Sequence, residues 1–321
     1  MDKKLHTHYR HLFGPVMSRR LGRSLGIDCV PHKTCTLNCV YCECGPTTLL
    51  TMRRREYVPA AAIIAELDDM LGKSPILDVV TFAGSGEPTL HSRLGEIVAH
   101  VRAKYPGCTT ALLTNGTLLH LKNVRDEIGP FDYVLPTLDA VSQDVFEKIH
   151  RPAAGVTASR IIAGLRDFAA GYRGRLWIEV FIVPGINDTG WELGLLKETL
   201  QTIRLDRVQL NTLDRPGACD WVKPATPERL REIADFLRPL PVEIIARGAP
   251  PVPSQEIAGG VDIGPKIIAA LKRRPCTVDD LAAMCGKKRV EIQKALASLE
   301  SAGTVVVERV GGFTFYKISA A

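Results

Sequence analysis

Cys35-Thr-Leu-Asn-Cys39-Val-Tyr-Cys42 places three cysteines within eight residues, at spacings of four and three. Three thiolates can hold three corners of a cubane iron–sulfur cluster and leave the fourth iron without a protein ligand. A fully ligated ferredoxin-type cluster takes four cysteines and only carries electrons. An open metal position is a place for chemistry, as it is in a catalytic zinc site. The same loop also reads as a structural zinc site, with Cys44 or Cys29 as fourth ligand, because paired cysteines are common zinc ligands. The loop alone does not choose between the two.

Outward from this loop, β-branched runs alternate with amphipathic helical stretches. A strand near Leu25–Cys29 precedes the cysteines. Leu77–Phe82, Thr109–Thr114, Tyr133–Leu138, Leu176–Val183 and Arg207–Thr212 read as later strands, with Val242–Ala246 as one more. Helical patterns fall near residues 59–72, 91–104, 157–170, 190–203 and 226–238. Such alternation predicts a parallel sheet with crossover helices. Six units suit an open, partial (β/α)6 barrel of TIM type better than a closed eight-stranded one. Sites in parallel sheets gather at the carboxyl ends of the strands, which is where the cysteine loop and the turn Gly84-Ser-Gly-Glu-Pro88 both fall. Trp177, Trp191 and Trp221 read as core. Glu179 and Asn211, on late strands, face the interior only if the strand phase is right, since a slip of one residue reverses the face.

Residues 247–260, with three prolines and three glycines, read as a linker between a barrel over 1–246 and a second unit over 261–321. The second unit predicts helices near 263–274, 277–284 and 287–301, then two strands around Gly311-Gly312. That is the winged-helix pattern. It carries ten Lys or Arg against six Asp or Glu, out of a net charge of +6 for the whole chain. Lys287, Lys288 and Arg289 open its third helix, where cations oppose the helix dipole and suit phosphates instead. No apolar run approaches the ~18 residues of a membrane span. The nine cysteines and the start of the chain, which shows no secretory signal, predict a reducing, cytoplasmic setting.

Taken together, these features resemble the radical S-adenosylmethionine superfamily. The likeness rests on the CxxxCxxC loop with Tyr41 before its last cysteine, and on Gly84-Ser-Gly-Glu-Pro88 in place of a GGEP turn. It continues through Thr114-Asn-Gly116, Thr137-Leu-Asp139 and His150-Arg-Pro152, and it covers most of residues 10–245. The stretch Leu12–Gly26 is similar to the opening of a subgroup named for tRNA wyosine synthesis. The enzymes that form wyosine, however, draw on several additional N-terminal cysteines for a second cluster, and here only Cys29 precedes the loop.

The resemblance implies a 4Fe–4S cluster on Cys35, Cys39 and Cys42, with S-adenosylmethionine chelating the open iron. Reductive cleavage would give a 5′-deoxyadenosyl radical that abstracts a substrate hydrogen. Gly84, Ser85, Gly86 and Glu87 would bind the methionine ammonium, and Asn115 would join the cofactor site. Tyr41 would lie near the adenine, Thr137 near the ribose or carboxylate, and Arg151 would pair with the carboxylate. Cys44 is a candidate hydrogen-atom donor and, with Glu87, a candidate catalytic residue. The expected partners are tRNA or another nucleic acid, through Lys287, Lys288 and Arg289, and a reductant such as flavodoxin or ferredoxin. A modifier of proteins or peptides and a non-enzymatic iron–sulfur regulator are the alternative readings.

Overall fold

Leu12–Ser18 (β1) and Gly22–Asp28 (β2) form an antiparallel hairpin, and β2 pairs on its other side with a run of parallel strands. The structure is a computed structural model that describes residues 9–245, 263–310 and 312–319. The linker expected over 247–260 and Gly311 of the expected turn lie outside the described residues.

Beyond the hairpin come Thr34–Cys35 (β3), Leu49–Leu50 (β4), Ala60–Leu71 (α1), Val79–Ala83 (β5), Leu94–Lys104 (α2), Thr110–Thr114 (β6), Lys122–Ile128 (α3) and Tyr133–Pro136 (β7). Gln143–His150 (α4), Ala158–Gly171 (α5), Arg175–Ile182 (β8), Gly190–Gln201 (α6), Arg207–Thr212 (β9), Pro227–Phe236 (α7) and Val242–Ile244 (β10) complete this part. The main sheet has eight strands in the order β1-β2-β5-β6-β7-β8-β9-β10, parallel from β2 onward. The architecture is α/β with a mostly parallel sheet, matching a partial TIM-type barrel.

The pattern of burial explains the elements. β5 reads Val-Val-Thr-Phe-Ala and is buried over four of its five residues, as a strand covered on both faces must be. In α1, Ala60, Ile63, Leu67 and Leu71 recur at helical spacing and are the buried residues. The Thr226 side chain accepts the backbone N–H of Arg229, and Pro227 sits in the first turn of α7, where its missing N–H costs nothing.

Two expectations need correction. Trp191 is 74% exposed and Trp221 50% exposed, so neither is core. Trp177 is half-buried, edge-on to Tyr133 and under the Arg207 guanidinium. Trp191 sits in the first turn of α6, whose buried residues are Glu192, Leu193, Leu196, Thr199 and Leu200; the tryptophan falls on the other side.

The remaining residues form Gly264–Arg273 (α8), Val278–Cys285 (α9), Arg289–Ser301 (α10), Val305–Val310 (β11) and Phe313–Ile318 (β12), the last two an antiparallel hairpin. Ile267, Leu271, Leu281, Ile292, Leu296 and Phe315 are buried among these elements. α9 packs on β1, and the Arg273 guanidinium lies 4.5 Å over the Phe13 ring. No helix among the described residues is long and apolar enough to cross a membrane.

Candidate active site

The carboxyl ends of β2, β5 and β6 converge on the cysteine loop. Its backbone is held from several sides. Asn38 and Val40 donate to the carbonyls of His150 and Ile149, at 2.8 and 2.9 Å. Ala153 donates to Thr36, Thr51 to Cys35, and Cys219 to Val40. The C-terminal turn of α4 is therefore a wall of the loop.

Each of the three sulfurs faces a nitrogen donor from a different element. The Lys33 ammonium lies 2.9 Å from Cys42 Sγ, His150 Nδ1 lies 3.2 Å from Cys39 Sγ, and Asn115 Nδ2 lies 3.5 Å from Cys35 Sγ. Burial pushes the Cys35 thiol up to about 11 and the Cys39 thiol well above its ordinary value. Cys42 goes the other way, to about 6, because the Cys44 thiol hydrogen-bonds it and Lys33 adds its charge, against the effect of burial. Cys44 therefore stands beside Cys42, half-buried. Cys29 is 1% exposed in the core, where burial raises its thiol.

Among the described residues, no group of three His, Cys, Asp or Glu is arranged to hold a metal ion. A cubane asks for something different, since each thiolate binds its own iron and the sulfurs need not meet at one point. The donor set fits that group: three separated sulfurs, each with a nitrogen beside it, in a loop tied down by backbone bonds.

The turn after β5 lies against this loop. Gly84 has φ +131°, and a Cβ there would meet the Asp28 carboxylate at 1.8 Å; a Cβ on Gly86 would meet the Thr34 carbonyl at 2.2 Å. Neither position accepts a side chain. Ser85 between them does, and its N–H donates to Asp28 Oδ1 at 3.1 Å. The Ser85 carbonyl accepts from Lys33 N, and Glu87 N donates to the Thr34 carbonyl.

Glu87 is 2% exposed and accepts four hydrogen bonds. Its Oε1 accepts from Thr89 N, Thr89 Oγ1 and Thr114 Oγ1 at 3.0, 2.6 and 2.6 Å, and its Oε2 accepts from Asn115 N at 2.8 Å. Burial raises its carboxyl, and these donors pull it back. Glu87 is thus a cross-tie between the turn and the end of β6. Asn115 stands beside it, with Oδ1 accepting from Thr117 and Nδ2 donating to Thr36 as well as toward Cys35.

A third group backs the loop. Tyr41 stacks on Phe181 with centroids 3.9 Å apart and donates its hydroxyl to Asp139 Oδ2 at 2.6 Å. Asp139 is 1% exposed, also accepts from Phe181 N, and lies 3.4 Å from His150 Nε2. Burial raises its carboxyl well above the ordinary range and takes His150 down to about 3, so the imidazole is neutral. Thr137 adjoins this group and lines a small void with Asn115 and His150. Arg151 is exposed at the left-handed C-cap of α4, outside the group; its neighbour His150 is the residue that packs inside. Glu179 and Asn211 do share a face: Asn211 Nδ2 donates to Glu179 Oε1 at 3.0 Å, and Arg20 reaches Glu179 Oε2 at 2.6 Å.

Sequence reasoning passed over Lys33, His150 and Asp139. His150 and Asp139 stand inside the motifs His150-Arg-Pro152 and Thr137-Leu-Asp139, but only tertiary packing shows that His150 meets a sulfur and that Asp139 backs His150 and Tyr41. Arg215 was also missed. It is 7% exposed, lies 3.5 Å from Glu43 in the cysteine loop, and makes bidentate bonds to Asp280 of α9 at 2.6 and 3.0 Å.

The family model described as the radical SAM superfamily matches residues 29–193. A "UPF0026 protein" of Helicobacter pylori strain J99 is 31% identical over 308 residues, covering 95% of this chain and 96% of that protein. A Brachyspira hyodysenteriae protein called "GTPase Obg" is 33% identical over 97% of this chain, and the chain spans 45% of its length. A solved structure, a radical SAM methyltransferase from Sphaerobacter thermophilus, shares the fold with a TM-score of 0.53 at 18% identity, over 69% of this chain and 65% of that one. With three cysteines, a glycine turn and a parallel sheet arranged as above, the chain belongs to the radical S-adenosylmethionine superfamily, a family of enzymes that use a 4Fe–4S cluster and S-adenosylmethionine.

Proposed function

We propose that Cys35, Cys39 and Cys42 hold the cluster, that the turn Gly84–Gly86 with Asn115 and Thr137 receives S-adenosylmethionine, and that the substrate is an RNA. The observation that carries this reading is the set of three sulfurs, each supplied with its own nitrogen donor, beside a turn whose two glycines let it pack closely against Asp28 and Thr34 at the cysteine loop. When bound, the cluster and S-adenosylmethionine supply a 5′-deoxyadenosyl radical able to take a hydrogen atom from an unactivated carbon. The chain's own part is to bind, orient and keep water out.

Glu87, held by four donors of its own fold, serves the turn's shape. With the Ser85 carbonyl taken by Lys33 N, the carbonyls of Gly84 and Gly86 are then the backbone acceptors offered to the methionine ammonium. Tyr41, fixed by Phe181 and Asp139, offers a rigid apolar edge for the adenine. Cys44, beside Cys42, is the nearest thiol for returning a hydrogen atom. Arg151, at the exposed C-cap, would have to swing inward to meet a carboxylate.

We further infer that residues 263–319 are a winged helix that presents RNA to this face. Lys288 and Arg309 are exposed; Lys287 lies 3.6 Å from Glu291, and Arg289 pairs with Asp279. The local charge is therefore lower than the run of three cations implies, so RNA binding would be modest and steeply salt-dependent.

The test is anaerobic reconstitution with iron and sulfide, then dithionite and S-adenosylmethionine, assaying 5′-deoxyadenosine with and without total tRNA. Formation that is lost in Cys39→Ala supports the radical reading. Stimulation by tRNA, weakened in a Lys288/Arg309 double alanine variant, supports RNA. Stimulation by peptide and not by tRNA would overturn the RNA assignment.

A further inference from the structure

We propose that Lys33, His150 and Asn115 are positioning residues that set the reduction potential of the cluster, each placing one side-chain N–H donor on a different cysteine sulfur. The proposal rests on the ligand assignment above.

The three contacts come from three separate places: the residue before Thr34, the last residue of α4, and the residue after β6. One donor beside one sulfur would be ordinary packing. A distinct donor for each of the three ligands, from unrelated elements, is a pattern. The His150 and Asn115 side chains are also fixed from behind. His150 is 3% exposed, packs against Phe146 and Tyr41, and has Asp139 at its far nitrogen. Asn115 is pinned by Thr36 and Thr117. A metal-bound thiolate has no proton to give, so at the Cys39 contact the hydrogen must be on Nδ1.

Lys33 is the most telling. It is 3% exposed, and a buried ammonium is costly unless a negative partner offsets it. The hydrogen-bond partner of its ammonium among the described residues is Cys42 Sγ, at 2.9 Å. Among the described residues no carboxylate pairs with the ammonium. The bland reading is that Lys33 is there for its backbone, which donates to the Ser85 carbonyl and accepts from Thr48 and Leu49 at a left-handed φ of +55°. That backbone role requires no ammonium. The charge makes sense beside thiolates that carry a cluster's negative charge.

Reduction adds an electron that is spread over iron and sulfur. N–H donors and a cation at the sulfurs stabilise the reduced form more than the oxidised one and so raise the potential. Removing them makes the cluster harder to reduce.

The experiment is an EPR-monitored redox titration of the reconstituted full chain, without S-adenosylmethionine, with iron and sulfide quantified in parallel. Lys33→Met should load a cluster with a more negative midpoint potential, and Lys33→Arg should restore the wild-type value, a rescue that a purely structural role would not predict. His150→Phe, which removes an N–H donor, should shift the same way, and His150→Gln should recover part of the shift. If Lys33→Met loads no cluster, His150→Phe and Asn115→Leu carry the test. Potentials equal to wild type in the loaded variants overturn the proposal while leaving the ligand assignment intact. A cluster that persists in Cys39→Ala overturns the ligand assignment, and the proposal with it.

Discussion

Glu87 shows how a residue recognised from its motif can have a different first duty. Four donors converge on its two oxygens. An unsatisfied buried polar group costs about 1–3 kcal/mol. Glu87→Ala strands two backbone N–H groups and two hydroxyls, so it should destabilise the apo-protein by at least about 3 kcal/mol, measured by urea unfolding. A stability within 1 kcal/mol of wild type would show that the four bonds are replaced by water. Loss of activity in that variant would therefore not by itself locate the methionine ammonium. The cysteines separate more cleanly: Cys35→Ala, Cys39→Ala or Cys42→Ala should each abolish the brown chromophore after reconstitution, and Cys44→Ala should leave it. At this scale the motif cysteines and glycines were legible because their chemistry depends on local spacing. Ser85 is tolerated in the GGEP-like turn because only its neighbours lack room for a Cβ. Lys33 and His150 were not legible, because their partners depend on how remote segments pack.

At the scale of elements, the long periodic segments were legible and the short polar ones were not. The strands β2 and β5 to β10 and the helices α1, α2, α5, α6 and α7 fall within a few residues of their expected positions. The short, charged α3, Lys-Asn-Val-Arg-Asp-Glu-Ile, and α4, Gln-Asp-Val-Phe-Glu-Lys-Ile-His, went unread, as did β1, whose alternation is broken by Gly14-Pro15. Short helices have little intrinsic stability and exist by tertiary packing. α4 is the element that anchors the cysteine loop, so the part missed in the sequence is part of the site's support. α5 offers a test of such support. Gly164 lies mid-helix, and a Cβ there would meet His120 N at 2.4 Å and the Leu119 carbonyl carbon at 2.6 Å. Alanine gains about 1 kcal/mol of helix propensity over glycine. Overpacking against backbone costs typically 1–3 kcal/mol, because backbone cannot swing aside. The second effect should win: Gly164→Ala should lower stability and, by displacing the loop that follows Asn115, reduce the iron retained after reconstitution. A more stable variant would mean that this loop yields freely.

At the scale of the whole molecule, the C-terminal elements are tied to both halves of the site. Arg273 pairs with Asp28, whose carboxylate also accepts from Ser85 in the glycine turn. Arg215 joins Glu43 of the cysteine loop to Asp280 of α9, where Asp280 also caps the helix by accepting from Thr277 N and Oγ1 at 2.8 Å each. Breaking a buried pair by removing one partner costs roughly 3–5 kcal/mol, because the other charge stays buried. Asp280 retains Thr277 and is partly accessible, so Arg215→Met should fall at the low end, about 3 kcal/mol at pH 7. The pH dependence gives a sharper test. Burial acts to raise the Asp280 carboxyl, but the hydrogen bonds and charge of Arg215 outweigh it and hold the group below the ordinary carboxylate range. A carboxyl depressed in the folded state adds stability that is complete above its unfolded value, about 4, and is lost as the pH falls below that. The stability gap between wild type and Arg215→Met should thus be widest near neutrality and narrow steadily in acid. A double-mutant cycle with Asp280→Ala isolates the pair from Arg215's other contact with Glu43. A gap that stays constant from neutrality into acid would mean that Arg215 stabilises the fold by packing alone, and that charge does not join the two parts of the molecule.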